Sequence, residues 1–557
     1  MRLNEKGASP APPDTKHEED AMPPPCRWLI AALLPALLLA APPAGAQTAQ
    51  SVRWARSADA STLDPHAGNV GPNISLLHQV YEPLILRLPD GALQGALAAA
   101  WRPVDDASAW EFDIRPGVRF HDGAPLTADD VVFSLERARA PGSQWQSLLS
   151  SVREVRKTGA LTVRVRLAGP DLVFPSSLTN LFIMNEAWAR QHDAAAPQDL
   201  SAKAENFATH HANGTGPYML ERREPDVRTT LKAFPGYWGS EGRPLAIGQL
   251  EFVPITSPAA RVAALLSGAV DIVQDVPAQD VVRLKAEPRV RVTEGLENRS
   301  IFLGLNVGAA ALGSSDVQGR NPLADRRVRE AFALAIDREQ IRHAVMHGLS
   351  VPAGMIAPPF VEGHDKSMDA YPRPDPERAR RLLADAGYAG GFRLALNCPN
   401  DRYVNDEAIC TAVAGQLARI DVKARVSAQP FAIHSPGIFA ARFDFFLYGW
   451  GVPTYDSAYV FDYLVHTRGR NGRGAANATG FSDAALDAQI ASLSSESDPA
   501  RRRATTAQIW QAVQREGIYI PLHNQMIAYA MRPALDVPVS SENTIFFKWV
   551  SPGAAAP

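Results

Sequence analysis

The sequence has little cysteine, no apolar run long enough to cross a membrane, and no excess of one charge sign. Its 557 residues include 56 basic and 59 acidic side chains, for a formal net charge of −3. Such a balance creates no field that would attract nucleic acid or an anionic membrane surface. A composition of 46% apolar and 21% charged residues excludes a disordered or collagen-like chain. The length predicts about two to four domains.

The longest apolar stretch, residues 28–41, is shorter than the roughly 20 residues that a membrane-spanning helix needs. Arg27 precedes it and residues 44–46 read AGA, a pattern typical of a secretory signal peptide cleaved before Gln47. The region before Met22 is acidic and proline-rich, so Met22 is a second candidate for the first residue. Because no cysteine follows the cleavage site, we expect an exported protein that is not a lipoprotein.

The three cysteines are consistent with export. Cys26 lies in the predicted signal peptide, which leaves Cys398 and Cys410 in an oxidising compartment, twelve positions apart. This pair can close a short disulfide loop worth up to roughly 3 kcal/mol in the chain-entropy model. The alternative is two reduced cysteines in the core. Without a CxxC motif, two cysteines are a poor zinc site.

Hydrophobic periodicity predicts short strands that alternate with amphipathic helices. Residues 110–114 and 161–167 alternate in polarity, as half-buried strands do. Thr127 precedes an apolar helical stripe and Asp130 follows three residues later, which is a capping pattern.

The second half of the chain has a clearer α/β pattern. Asp325 is predicted to cap one long helix that ends at Gly348. Strands are predicted at residues 392–396, 422–426 and 443–448, with a helix between the first two. This succession predicts right-handed crossovers in a largely parallel sheet. Ligands bind at the carboxyl ends of such strands.

An ordered set of motifs resembles the family 5 extracellular solute-binding proteins of ABC importers. The most specific stretch is residues 97–134, which contains FDIRPGVRFHDGAPLTADDVVFS. The supporting motifs are STLDP at 61–65, YEPL at 81–84, GTGPY at 214–218, DRRVR at 325–329, AID at 335–337 and GW at 449–450. The resemblance covers essentially the whole chain from Gln47 onward.

The resemblance implies an α/β, two-lobed periplasmic-binding-protein fold of the Venus-flytrap type. It would have mixed sheets, an extra subdomain in the N-terminal lobe and a two-strand hinge near residues 301–306 and 518–522. The expected divisions are a signal peptide at 1–46, lobe I at 47–300 with a subdomain at about 81–225, lobe II at 301–518, and a return to lobe I at 519–557.

The resemblance also implies a ligand enclosed between the lobes. Its charged ends must then meet countercharges, since desolvation costs several kcal/mol. Dipeptide-binding members hold the ligand carboxylate with an arginine that corresponds to Arg402, whose planar guanidinium can donate two hydrogen bonds. At the position of their amine-binding aspartate this chain has Pro453. Asp456 is a candidate substitute, or else a cap of the helix that follows it.

Further ligand-lining candidates lie on either side of the expected cleft. Trp450 can supply an apolar wall or belong to the core, and Gly451 and Tyr455 follow it. In the loop after Asp64 and Pro65, the small and amide residues that would let a ligand approach the backbone are Asn69, Gly71 and Asn73. The alternative for these three is a turn-forming role alone.

The expected function is capture of a small solute in the periplasm, by default a di- or oligopeptide, and delivery to an inner-membrane ABC permease and its ATPase subunits. We expect a monomer that uses no cofactor or metal, binds no nucleic acid and has no catalytic residues. The alternatives are an opine or other carboxylated solute, nickel held through His343 and His347, and an exported hydrolase. The sequence contains no GxSxG, SxxK, HExxH or P-loop motif that would favour a hydrolase.

Overall fold

The computed structural model describes residues 50–200, 202, 204–240, 245–469 and 472–552. The predicted signal peptide, including Cys26 and Met22, lies outside the described residues. Within those residues, no helix combines the length and the apolar character needed to cross a bilayer.

The elements alternate along the chain as the periodicity predicts. The strands are β1 Gln50–Arg56, β2 Ile85–Arg87, β3 Leu93–Gly95, β4 Ala98–Val104, β5 Ala109–Ile114, β6 Val152–Gly159, β7 Thr162–Leu167, β8 Tyr218–Glu224, β9 Arg228–Ala233, β10 Ile247–Pro254, β11 Ile272–Val273, β12 Arg291–Leu305, β13 Ser350–Pro352, β14 Phe392–Pro399, β15 Val422–Gln429, β16 Phe445–Trp450, β17 Tyr519–Met531, β18 Leu535–Asp536 and β19 Ser551–Pro552. The helices are α1 Gly71–Val80, α2 Ala128–Arg139, α3 Glu186–Gln191, α4 Pro258–Leu266, α5 Ala278–Lys285, α6 Arg326–Ala335, α7 Arg338–Gln340, α8 Pro376–Asp385, α9 Asp406–Ala418, α10 Phe431–Phe439, α11 Ser457–Val460, α12 Ala484–Ser492 and α13 Pro499–Glu516.

The main sheet runs in the order β15-β14-β16-β12-β17-β11-β1-β10-β9-β8, with β13 beside β17. The pairs β14–β15 and β1–β10 are parallel, whereas β12 pairs antiparallel with both β16 and β17. The sheet is therefore mixed rather than largely parallel.

Strands β12 and β17 connect the two halves of this sheet. The first part of β12 pairs with the last part of β17, next to β11, and the last part of β12 pairs with β16 and the start of β17. The β12–β17 register is irregular between Leu296 and Ser300. Two strands that belong to both halves, with a local break in their pairing, form the two-strand hinge of the fold.

A separate four-stranded sheet, β4-β5-β7-β6, lies within the segment where the extra subdomain is expected. Its buried residues, such as Phe112 and Val163, pack against Val131 and Leu135 of helix α2. Thr127 precedes α2 and donates its backbone N–H to the Asp130 carboxylate at 2.9 Å, which confirms the predicted capping pattern.

The single long helix predicted from Asp325 to Gly348 is wrong. Asp325 does cap α6, but Ile336 adopts extended backbone angles and ends it. Asp337 then caps α7 by accepting a hydrogen bond from the Gln340 N–H at 2.8 Å. An apolar stripe continues across this break, so periodicity alone does not reveal it.

A disulfide joins Cys398 near the end of β14 to Cys410 in α9. Both cysteines are fully buried. The bond ties the first turns of α9 to β14, and the closed loop contains Arg402.

Candidate ligand-binding site

Arg402 lies in the loop that follows strand β14. Asp406 fixes this loop, because its carboxylate accepts hydrogen bonds from the backbone N–H groups of Arg402 and Tyr403, each at 3.1 Å. The guanidinium carbon of Arg402 lies 5.4 Å from the centre of the Phe431 ring and 5.9 Å from that of the Tyr403 ring. Its side chain has no ion-pair partner among the described residues. Arg402 therefore presents an unpaired positive charge beside two aromatic rings.

A second arginine, Arg299 of strand β12, lies beside the same tyrosine. Its guanidinium carbon is 5.7 Å from the centre of the Tyr403 ring, and its Nε is 3.4 Å from a carboxylate oxygen of Glu297. Burial alone would lower the pKa of Arg299, but the charge of Glu297 raises it. The positive charge of Arg299, followed by burial, lowers the pKa of Arg402. Two cations and one carboxylate leave net positive charge here, which favours an anionic ligand group.

Aromatic side chains surround the end of strand β16. The centre of the Trp450 ring lies 6.0 Å from that of Tyr448, 5.8 Å from that of Tyr459 and 5.9 Å from that of Tyr463. Trp450 is 8% exposed, and its indole N–H is buried with no hydrogen-bond partner among the described residues. Because an unsatisfied buried donor costs free energy, this N–H is available to an acceptor on a ligand.

Gly451 allows the chain after Trp450 to approach the hinge closely. A Cβ at Gly451 would lie 2.9 Å from the carbonyl oxygen of Asn298. The Asn298 side chain donates to the carbonyl of Val452 at 2.9 Å and accepts from the Val452 N–H at 3.2 Å. These contacts hold the loop after β16 against β12, the strand that carries Arg299.

A cavity of about 420 Å³ adjoins the aromatic cluster. Its lining residues come from two segments, 147–177 and 454–502, and the second includes Tyr459 and Tyr463. This volume is within the range of small-molecule sites, roughly 300–1,000 Å³.

Two carboxylates line this cavity. Asp462 lies 3.3 Å from Arg473, whereas Asp171 has no cation within ion-pair distance among the described residues. Burial raises the pKa of Asp171, and the negative charge of Asp456 also raises it; the backbone N–H groups of Val173 and Phe174 and the charge of Arg502 act in the opposite direction but do not cancel the rise. A positively charged ligand group beside Asp171 would stabilise its ionised carboxylate and so lower this pKa.

Comparison with known proteins assigns this architecture. The family model for bacterial extracellular solute-binding proteins, family 5 (Middle), matches residues 92–472. The chain belongs to this family. Family 5 proteins are the solute-binding components of ABC importers, so the chain is a transport component of the two-lobed fold rather than a member of an enzyme family.

Similar proteins extend over most of the chain. The glutathione-binding protein GsiB of Salmonella typhimurium is 25% identical over 506 residues, which cover 89% of this chain and 92% of that protein. The dipeptide-binding protein of Escherichia coli is 29% identical over 355 residues, covering 59% and 62% respectively. The solved structure of the periplasmic binding protein DppA from Helicobacter pylori in complex with peptide STSA has a TM-score of 0.73, with 20% identity over 90% of this chain and 98% of that one.

In this family 5 protein, the region around Pro453 contacts the segment expected to form the subdomain. Arg87 donates to the Pro453 carbonyl at 3.1 Å, and its guanidinium carbon lies 3.9 Å from the centre of the Tyr455 ring. Tyr455 has a positive φ of 55° and a hydroxyl 2.7 Å from Ser541 Oγ. Such backbone strain in a non-glycine residue is typical of functional sites.

Asp456 is already occupied by protein partners. Its carboxylate accepts a hydrogen bond from Arg502 Nη2 at 2.9 Å and lies 2.9 Å from Arg502 Nη1, and it accepts another hydrogen bond from the Ala458 N–H at 2.9 Å. Asp456 is therefore the cap of helix α11. Its predicted role as an amine anchor stays a prediction, and these contacts do not favour it.

The three candidates in the loop after Asp64 differ in exposure. Asn69 and Gly71 are exposed, and their backbones hydrogen bond to Gln144 and Arg56 respectively. Asn73 is fully buried, and its side-chain carbonyl accepts from the Ser61 N–H at 2.9 Å. In this arrangement Asn73 stabilises the loop, and its role as a ligand-lining residue stays a prediction.

Sequence reasoning missed Arg299 and Asp171. A signal for Arg299 exists, because residues 297–299 read ENR immediately before the apolar run of β12. Asp171 follows a Gly-Pro pair and has no such signal. His343, a candidate nickel ligand, lies 3.7 Å from Glu339. The described part of the chain brings no three His, Cys, Asp or Glu side chains together as metal ligands.

Proposed function

We propose that this family 5 protein binds a short peptide between its lobes and delivers it to an ABC permease, acting as a periplasmic monomer that is not lipid-anchored. The guanidinium of Arg402, which has no ion-pair partner among the described residues and lies at the carboxyl end of β14, carries this proposal. A carboxylate is the group that a planar guanidinium binds best, through two parallel hydrogen bonds. Two similar proteins, one named as a glutathione-binding and the other as a dipeptide-binding protein, support a peptide ligand.

The ligand carboxylate would lie beside Arg402 and Arg299. The rest of the ligand would extend along the aromatic cluster, where the indole N–H of Trp450 can donate to a peptide carbonyl. The apolar rings of Trp450 and Tyr459 provide contact area that does not depend on one particular side chain.

The ligand ammonium would be held by Asp171 rather than by a residue at position 453. Asp171 lines the 420 Å³ cavity, has no cation partner among the described residues, and has a raised pKa. The cavity includes residues of the loop that follows Pro453, so it is close to the position where dipeptide-binding members carry their aspartate.

Closure would follow from the hinge. We assign lobe I to residues 47–300 and 519–557, with the subdomain at about 81–225, and lobe II to 301–518. A ligand that contacts Arg402 on one lobe and Asp171 on the other stabilises the closed state, because only that state offers both countercharges. The contact between Arg87 and Pro453 would support the same arrangement.

A second candidate function is a receptor for an opine or another carboxylated solute without a free ammonium group. Pro453, in place of the family's amine-binding aspartate, favours it. Both candidates use Arg402 and Arg299, and they differ only in whether Asp171 meets a cation.

Native mass spectrometry of protein purified from its own periplasm tests the proposal, because an enclosed site retains its ligand. Titration calorimetry with dipeptides, glutathione, an opine and Ni²⁺ then ranks the classes. We expect binding of at least one free peptide. Binding of an opine with no peptide binding would establish the second candidate, and binding of Ni²⁺ alone would overturn both.

Replacing Asp171 with asparagine is expected to weaken a peptide with a free amine by about tenfold or more, because a charged hydrogen bond is worth about 1.5–3 kcal/mol. The same peptide with an acetylated amine should bind the wild type and the variant equally. Titration calorimetry of both peptides measures the difference. Asp462→Asn, in the same cavity but beside Arg473, is the matched control and should have a smaller effect. An equal loss for both peptides would contradict the assignment.

A further inference from the structure

A second cavity, of about 550 Å³, lies apart from the site described above. It is lined by residues between 326 and 372 and between 510 and 521. It shares no lining residue with the 420 Å³ cavity, and Arg402 is not part of it. A ligand here would therefore not occupy the peptide site.

Arg338 is the residue that distinguishes this cavity. It is 4% exposed, and its Nε donates to the carbonyl of Pro521 at 2.7 Å. Its Nη1 is buried without a hydrogen-bond partner, and no carboxylate among the described residues forms an ion pair with it. Burial lowers the pKa of Arg338 to about 10, so the guanidinium is still charged at neutral pH. A buried charge without a counterion is costly unless an anion is supplied from outside.

The other charged groups of the cavity do not neutralise Arg338. Arg326 and Arg329 shortly precede Arg338 in the sequence and also line the cavity. Neither of its two glutamates pairs with Arg338: Glu330 pairs with Arg378, and Glu516 lies 3.8 Å from Arg329 and 3.6 Å from Arg515, which also lines the cavity. The cavity therefore keeps an excess of positive charge.

Most of the other lining residues are apolar, although Ser367 and Gln514 are polar. The centre of the Tyr371 ring lies 5.2 Å from the guanidinium carbon of Arg338. Trp510 and Met355, each 1% exposed, line the cavity together with Met368. Such a lining is suited to a molecule with an apolar body and one anionic group.

We propose that this cavity is a second binding site, which takes a small organic carboxylate with its anionic group at Arg338 and its apolar body against Trp510 and Met355. The probes are benzoate, its neutral counterpart benzyl alcohol, and inorganic phosphate. Protein labelled with ¹³C at the methionine methyl groups reports binding by NMR, with Met355→Leu and Met368→Leu used to assign the two lining signals.

We expect benzoate to shift the Met355 and Met368 signals saturably, and benzyl alcohol and phosphate to shift them far less. Arg338→Met should weaken benzoate at least tenfold, the loss expected for one charged hydrogen bond. Arg326→Gln, an exposed substitution that leaves the core intact, should weaken it several-fold. The exposed Arg381→Gln, outside the cavity, and Arg402→Ala, in the peptide site, should leave benzoate affinity unchanged.

Three results would overturn the proposal. Unmoved methionine signals would mean that the cavity does not bind the probe. Equal shifts with benzyl alcohol or with phosphate would show that the site does not select an organic anion. The third result is benzoate affinity that is unchanged both in Arg326→Gln and in Arg338→Met, with Arg338→Lys used if Arg338→Met does not fold. It would show that these arginines do not bind the carboxylate. Since Arg402→Ala serves as a separate variant, failure here is distinguishable from failure of the peptide site.

Discussion

Replacing Arg402 with alanine is expected to weaken a carboxylated ligand by about 1.5–3 kcal/mol, or roughly tenfold to a hundredfold. The reason is that the guanidinium has no ion-pair partner among the described residues, so its hydrogen bonds are available to the ligand. Its contacts with Tyr403 and Phe431 hold it beside two rings at 5.9 and 5.4 Å. Titration calorimetry with the ligand recovered from the periplasm measures the change.

Two controls make this result specific. A ligand whose carboxylate is converted to an amide should bind the wild type weakly and should lose little more affinity on Arg402→Ala. Arg425→Ala, an exposed substitution on the adjacent strand β15, should leave affinity unchanged. If Arg402→Ala binds the carboxylated ligand as tightly as the wild type does, Arg402 is not the anchor.

Local sequence patterns predicted the elements that surround Arg402. The strand at 392–396 and the helix after it were predictable because their patterns are local: apolar residues for β14 and a helical stripe for α9. The structure extends that strand to Pro399. The motif resemblance then located Arg402 in the loop between them.

The contacts that decide the chemistry of the site are non-local, and so they were not predictable from periodicity. Arg299 lies beside Tyr403 because β16 pairs with β12 on one side and on the other with β14, the strand that precedes Tyr403; residues about a hundred positions apart thus come together. The ion pair of Asp456 with Arg502 spans 46 positions. A sequence pattern shows that Asp456 can cap a helix, but it does not show which cation occupies the carboxylate.

Contacts that stabilise the fold can also be non-local, and sequence periodicity does not predict those either. The STLDP motif marks Asp64 as part of a resemblance, yet nothing in the sequence pairs it with Arg137, 73 positions away. In the fold, the two side chains form a bidentate ion pair at 2.6 and 2.7 Å, with 0% and 1% of their side-chain surfaces exposed. This pair connects the loop after β1 to helix α2, and so connects the main sheet to the four-stranded sheet.

Replacing Asp64 with asparagine is expected to lower the free energy of unfolding by about 3–5 kcal/mol, the range for breaking a buried ion pair, because the Arg137 charge stays buried without its counterion. Urea denaturation at pH 7 measures it. The matched control is Glu136→Gln, which breaks the exposed pair with Arg139 on the same helix and should cost under about 1 kcal/mol. A loss of similar size in both variants would mean that burial of the pair is not what stabilises this junction.

Low pH should remove the contribution that the Asp64 carboxylate makes to the free energy of unfolding. Burial by itself would raise the pKa of Asp64, but the hydrogen bonds and charge of Arg137 outweigh burial and lower it from 3.8 to about 2. A carboxylate whose pKa is lower in the folded state stabilises the fold above its unfolded pKa and ceases to do so as pH falls through the folded value. The difference in unfolding free energy between wild type and Asp64→Asn should therefore be constant at neutral pH and should narrow as the pH falls from about 4 toward 2. A difference that does not change over this range would show that the negative charge of Asp64 does not stabilise the junction.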